Sequence, residues 1–260
     1  MKAAAGVLAL TVLALISVAH FAGAAEIHVY STGAPAEAAK AIAADFAKAT
    51  GHHLTFTVGQ PATIENDLDT GAKADVVILP APVVAVLNGT GALRAGSTVD
   101  LARVGIGVVV RAGARQPDIS SAAAIRKMLI DARSVVYPDP TSGGGSAGRA
   151  IARIIEQMGI TETIRPKLTR TSAIGGGVTL VAAGDVEIGL FNISEILPIQ
   201  GVTLVGPLPG ELQSYIVFSA AIPASNRAPE AAAAFIAALA APGARQAWRT
   251  SGLEPVTAAR

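Results

Sequence analysis

No cysteine occurs in the 260 residues. The chain therefore has no disulfide framework, no thiol nucleophile and no thiolate metal site, and its fold must rest on its apolar core. Charge is scarce as well: Asp, Glu, Lys and Arg make up 15% of residues, against 51% hydrophobic. Twenty Lys and Arg stand against nineteen Asp and Glu. Lys2 is the single charge before Glu26, so the rest of the chain is balanced and offers no basic field for nucleic acid or anionic lipid. Histidine is nearly missing: His20, His28, His52 and His53 are all there is, and none follows residue 53. The adjacent His52 and His53 lack an acidic or histidine partner at ligand spacing, so they read as a solvated turn, with no metal site and no cofactor expected. No GxxxxGK[ST] run is present, which excludes a P-loop.

Uncharged, proline-free segments long enough to resemble a membrane span are also absent, with one exception. Lys2 precedes an apolar run from Ala3 to Val18, followed by Ala22-Gly23-Ala24, a small-x-small signature. The run is short for a span and has no basic stop-transfer flank, so residues 1–24 read as a signal peptide, cleaved after Ala24 or Ala25. The expectation is an exported, monomeric, periplasmic protein with no stable membrane insertion after cleavage.

What is there is an alternation of strands and helices. Glu26–Tyr30, Leu54–Val58 and Ala74–Leu79 read as strands, separated by helices over Ala36–Thr50 and Ile64–Thr70. Ala74–Leu79 is a continuous apolar run, as in a strand buried on both faces. Val84–Asn88 reads as a short helix and Val104–Arg111 as another buried strand. The pattern then repeats: helix Ala122–Asp131, strand Ser134–Tyr137, helix Arg149–Met158, strand Leu168–Ser172, helix Val178–Ala183, strand Val186–Phe191. Strands at Val202–Val205 and Ser214–Ala221 and helices at Ala228–Ala240 and Ala244–Thr250 close the chain. This spacing is that of an α/β protein. The pattern occurs twice, and Gly206-Pro207-Leu208-Pro209-Gly210 marks a second crossing. It predicts two lobes, each a mostly parallel sheet flanked by helices: a discontinuous lobe over 25–105 plus 210–260, and a second over 106–209.

The loop from Tyr137 to Gly148 matches two catalytic motifs. Gly143-x-Gly145-x-x-Gly148 fits the dinucleotide fingerprint, but Pro138–Ser142 separate the first glycine from the strand end, and no acid closes a following strand. Gly144-x-Ser146-x-Gly148 fits the nucleophile elbow, which needs a histidine later in the chain. None exists. What remains is a pattern of hydroxyl- and amide-bearing loops after strands: Ser31-Thr32, Gln60 to Thr63, Thr141 to Ser146 (with Ser142 and Gly144), and Asn192 to Ser194. In open α/β sheets ligands bind at the carboxyl ends of strands. Neutral donors and helix N-termini there suit a small anion. Each loop alone reads equally well as an ordinary N-cap.

A strand ending in Ser31-Thr32-Gly33, then Phe46-Ala47-Lys48-Ala49-Thr50-Gly51 and Gly71-Ala72-x-Ala74-Asp75-Val76, resembles the periplasmic molybdate-binding protein family. Tyr137-Pro138-Asp139-Pro140, Ala183 to Gly189 and the closing Ser251-Gly252-Leu253-Glu254-Pro255-Val256 continue the likeness over the whole chain beyond the leader. The resemblance implies the type II periplasmic-binding fold with a ligand cleft between lobes, and an ABC permease in the inner membrane as partner. It also implies an oxyanion held by hydroxyls and backbone N–H groups. Ser31 falls on the family's first binding serine. Gln60-Pro61-Ala62-Thr63 stands where the second serine would lie, and Asn192 where the family carries a tyrosine. These two replacements point from molybdate toward another anion, such as an organic carboxylate. The family also contains a periplasmic aconitate isomerase, which would need a general base near the cleft. Asp139, Glu195 and Tyr137 are the candidates.

Overall fold

The computed structural model describes residues 24–141, 145–172, 176–226 and 228–256. The leader Ala3–Val18, most of its cleavage signature, and Ser142 and Gly144 lie outside the described residues. Among the described residues, no helix is long and apolar enough to cross a membrane.

The chain opens with β1 (Glu26–Ser31), α1 (Gly33–Thr50), β2 (His53–Val58), α2 (Pro61–Asp69), β3 (Val76–Pro80), α3 (Ala81–Gly89) and β4 (Val99–Val104). It crosses to a second lobe with β5 (Ile106–Arg111), α4 (Ala122–Asp131), β6 (Val135–Pro138), α5 (Gly145–Gln157), α6 (Thr161–Ile164) and β7 (Leu168–Thr171). That lobe ends with α7 (Gly176–Ala183), β8 (Ile188–Asn192), α8 (Ile193–Ile196) and β9 (Val202–Pro207). The chain then returns through β10 (Ile216–Ala221), α9 (Pro229–Ala240), α10 (Arg245–Thr250) and β11 (Glu254–Pro255).

Two sheets result, ordered β11-β4-β10-β3-β1-β2 and β7-β6-β8-β5-β9. In the first, β1 runs parallel to β2 and β3 while β10 is antiparallel to β3 and β4. In the second, β6 runs parallel to β7 and β8 while β5 is antiparallel to β8 and β9. Each sheet thus joins a parallel group to a reversed strand that enters from the other lobe. β3, β6 and β8 are buried along their whole length because helices cover both faces, so their side chains are largely apolar, with the buried Asn192 closing β8. Ile27, Val29, Val76 and Phe218 pack one face of the first sheet with Phe46, Phe235 and Trp248, and Val77 and Leu79 pack the other with Ile64 and Leu87. The second sheet repeats this, with Ile125, Leu129, Ile151 and Ile155 on one face and Val178, Val181 and Phe191 on the other.

Two sequence expectations are corrected. The run Val104–Arg111, read as one strand, divides between the sheets: Val104 ends β4, Ile106 begins β5, and Gly105 is the crossing. A Cβ on Gly105 would stand 2.9 Å from the Gln213 amide nitrogen. Gln213 lies on the returning crossing, where its Oε1 accepts from Ile106 N at 2.8 Å and its Nε2 donates to Ile106 O at 3.0 Å. One side chain therefore ties the two connecting segments together. The second correction concerns His52. It is buried, its Nδ1 accepts from Ala25 N at 3.0 Å, and its ring lies 5.6 Å from that of Phe46. Apolar packing under α1 outweighs the turn position that suggested a solvated imidazole.

Candidate functional site

A cleft of about 60 Å³ lies where the carboxyl ends of strands from both sheets meet. The first lobe contributes Thr32, Gly33 and Ala34 at the start of α1, Gln60 and Pro61 at the start of α2, and Pro80. The second contributes Pro138, Ser146 and Ala147 at the start of α5, Thr171 and Ser172 after β7, and Phe191, Asn192 and Glu195. Thr32 and Gln60 occupy the N-cap positions of α1 and α2, yet neither side chain bonds to its helix. The first-turn N–H groups of two helices thus remain free of side-chain caps on this wall, which is the arrangement that attracts an anion. Gln60 Nε2 instead reaches across the cleft to the Ser172 carbonyl at 3.4 Å.

α5 approaches the cleft closely because residue 148 is glycine. A Cβ there would stand 2.4 Å from Pro138 O and 3.0 Å from Pro140 N, both backbone atoms. The glycine of both discarded motifs therefore has a packing role: it seats the start of α5 against the end of β6. Gly177 acts similarly in α7, where a Cβ would meet the Phe191 ring at 2.3 Å and Thr171 Oγ1 at 2.8 Å.

The sequence-predicted residues separate into three groups. Thr32, Gln60, Ser146, Asn192 and Glu195 line the cleft. Ser31, Thr63, Thr141, Ser194, Tyr137 and Asp139 are not among its lining residues. Ser31 is fully buried and its hydroxyl donates to Thr32 O at 2.9 Å. Thr63 faces solvent on α2. Thr141 is exposed, and its N–H and hydroxyl both donate to Asp139 Oδ1, so Asp139 shapes the turn after β6. Tyr137 is buried in the β6 core, with the Arg170 guanidinium 5.9 Å from its ring centre. Ser142 and Gly144 lie outside the described residues. Thr171 and Ser172 were not singled out in the sequence. They show the same strand, hydroxyl, glycine-rich helix start as the other loops, on a strand (LTRT) with too little apolar character to stand out.

Among the described residues lining the cleft, Glu195 is the one titratable side chain, and no Lys, Arg or His joins it there. It sits on α8, half-buried, and its Oε1 accepts from Asn192 Nδ2 at 2.8 Å. Desolvation by burial pushes its pKa above the ordinary carboxylate value, opposed by that one hydrogen bond. Asn192 Oδ1 and Thr171 Oγ1, both on lining residues, are buried with no partner. A larger cavity of about 700 Å³ opens at the opposite strand ends of the second lobe. There Lys127 pairs with Asp131 and Arg133 with Glu187.

The family model of a bacterial extracellular solute-binding protein matches residues 27–254. The chain belongs to that family. An aconitate isomerase from a Pseudomonas species is 32% identical over 236 residues, covering 88% of each chain. The molybdate-binding protein ModA of Rhodobacter capsulatus is 27% identical over 168 residues, 64% of this chain and 63% of that one. Among solved structures, the periplasmic molybdate-binding protein of Azotobacter vinelandii superposes with a TM-score of 0.74 at 19% identity. That superposition covers 90% of this chain and all of the other. The fold is that of the type II periplasmic-binding proteins, as the sequence resemblance implied.

Proposed function

We propose that this family member captures a small carboxylate anion in the interlobe cleft and moves a proton along it, interconverting cis- and trans-aconitate. The observation that carries this reading is Glu195. A carboxyl group facing an anion site is unfavourable for capture alone, because two negative charges approach each other at low dielectric. It is useful for proton transfer, where burial brings the acid's pKa toward the working pH. The relative named aconitate isomerase matches the chain at 32% identity over most of both lengths, and the family's second serine and tyrosine positions hold Gln60–Thr63 and Asn192 here.

The chemistry needs one base. Ionised Glu195 removes a proton from the substrate's methylene carbon, which is acidified by its carboxylate and the adjacent double bond. The electron pair shifts into the conjugated system, and the charge spreads onto the flanking carboxyl oxygens. The N–H groups at the starts of α1 and α2 face that developing charge. Glu195 returns the proton at the former vinylic carbon, the double bond moves over, and the same tricarboxylate skeleton is released in the other geometry. No co-reactant is consumed.

A second reading, capture of the anion for an ABC importer without turnover, is favoured by the family and by the free helix N-termini, which suit binding alone. Incubating the purified chain with cis-aconitate and following trans-aconitate by proton NMR separates the two. Turnover supports the isomerase. A melting shift with carboxylates or oxyanions but no turnover supports the binding protein and overturns the enzyme.

A further inference from the structure

Asn192 carries an asymmetry that the proton-transfer step does not use. Its Nδ2 is committed to Glu195 Oε1 at 2.8 Å, which fixes the orientation of the amide. Its Oδ1, on a side chain 4% exposed, is then a buried acceptor with no donor. A buried polar atom without a partner is unfavourable, and native proteins retain few of them. An anion with every carboxyl ionised cannot satisfy this oxygen, because it brings acceptors only. A carboxyl group that keeps its hydrogen can. Thr171 Oγ1, likewise buried and unpartnered on the same wall, can donate to the second oxygen of that group.

We propose that the cleft takes its carboxylate ligand with one carboxyl group protonated, docked so that its O–H donates to Asn192 Oδ1, and that Asn192 thereby selects hydrogen-carboxylates over proton-free oxyanions. This rests on the carboxylate reading above. Asn192 is a positioning residue here: one end of its amide holds the base and the other holds the substrate's acid group. The surroundings leave few competing titratable groups. Tyr137 on β6 is buried under Arg170 of β7, Arg111 stands at the far end of β5 from Asn192, and Glu37 pairs with Lys40 on the exposed face of α1.

The test uses propane-1,2,3-tricarboxylate, which has the three carboxylates of aconitate and no double bond, so it binds without turnover. Calorimetric titrations of the full chain are run in buffers of different ionisation enthalpy, at a pH where the free ligand carries no proton. The expected result is uptake of about one proton per anion bound, with affinity falling roughly tenfold for each unit rise in pH. Glu195→Gln should keep that uptake, because the Gln oxygen accepts the same Asn192 N–H. Asn192→Leu should lose it. Binding with no proton uptake overturns the proposal and leaves the carboxylate cleft standing. Uptake that vanishes in Glu195→Gln places the proton on Glu195 and also overturns it. Absence of any binding overturns this proposal together with the reading beneath it.

Discussion

Replacing Gly148 by Ala sets two effects against each other whose magnitudes can be compared. Gly148 lies inside α5, where Ala is the better helix former by roughly 0.8–1 kcal/mol. The added Cβ would stand 2.4 Å from Pro138 O, 3.0 Å from Pro140 N and 3.1 Å from the Asp139 carbonyl carbon. All three are backbone atoms of the turn after β6, so no side chain can rotate aside, and α5 must move off the strand. Overpacking of this kind costs about 1–3 kcal/mol or more, which exceeds the propensity gain. For a chain of this size each kcal/mol is worth roughly 2–4 °C in Tm. Gly148→Ala should therefore lower Tm by several degrees and weaken anion binding, because Ser146 and Ala147 move with the helix start. Gly89→Ala is the control: Gly89 is the last helical residue of α3, and a Cβ there meets nothing within 4 Å. Thermal unfolding of the two variants decides it. A Gly148→Ala protein as stable as Gly89→Ala would refute the packing argument.

Glu195→Gln should change the pH dependence of stability. The folded protein holds the Glu195 pKa above its ordinary value, chiefly by desolvation, so its stabilising contribution is full below about pH 4.3 and is lost as pH rises toward the folded value. Denaturant melts across pH should show the variant gaining on the wild type from that point upward, by about 1.4 kcal/mol for each tenfold change in the acid's ionisation constant. Gln213→Ala removes the side-chain acceptor of the buried Ile106 N–H at the crossing. It should cost about 1–3 kcal/mol in the same assay and broaden the solution scattering envelope of the unliganded protein. Tyr137→Phe should leave aconitate turnover unchanged within about twofold, since the phenol lies in the β6 core outside the cleft; a large loss would return Tyr137 to the catalytic candidates.

The α/β alternation was legible because β3, β6 and β8 are buried on both faces and so appear as unbroken apolar runs. The same property hid the strand break at Gly105, although the lobe boundary was placed between residues 105 and 106. Val104–Arg111 is apolar on both sides of Gly105, and apolar character alone cannot show that β4 and β5 belong to different sheets. Of the site, Thr32, Gln60, Ser146 and Asn192 were visible as polar residues after strands. Glu195 was visible only as an acid near a loop tip. Its burial depends on α8, a four-residue helix too short to leave a periodic signal, packed against β5, β8, β9 and α1. Thr171 was missed for a related reason: β7 is a sheet edge, and an edge strand has no need of an apolar run.

The most direct test of the central claim is proton NMR of cis-aconitate incubated with the purified chain in deuterium oxide, with Glu195→Gln in parallel. The account predicts that the wild type produces the trans-aconitate vinylic signal, with solvent deuterium entering the substrate carbons only to the extent that Glu195 exchanges its captured proton before returning it. Glu195→Gln, still binding the anion, should do neither. Wild-type protein that binds aconitate and leaves its spectrum unchanged, or a Glu195→Gln variant that turns it over at the wild-type rate, would contradict the assignment of Glu195 as the proton-transferring group.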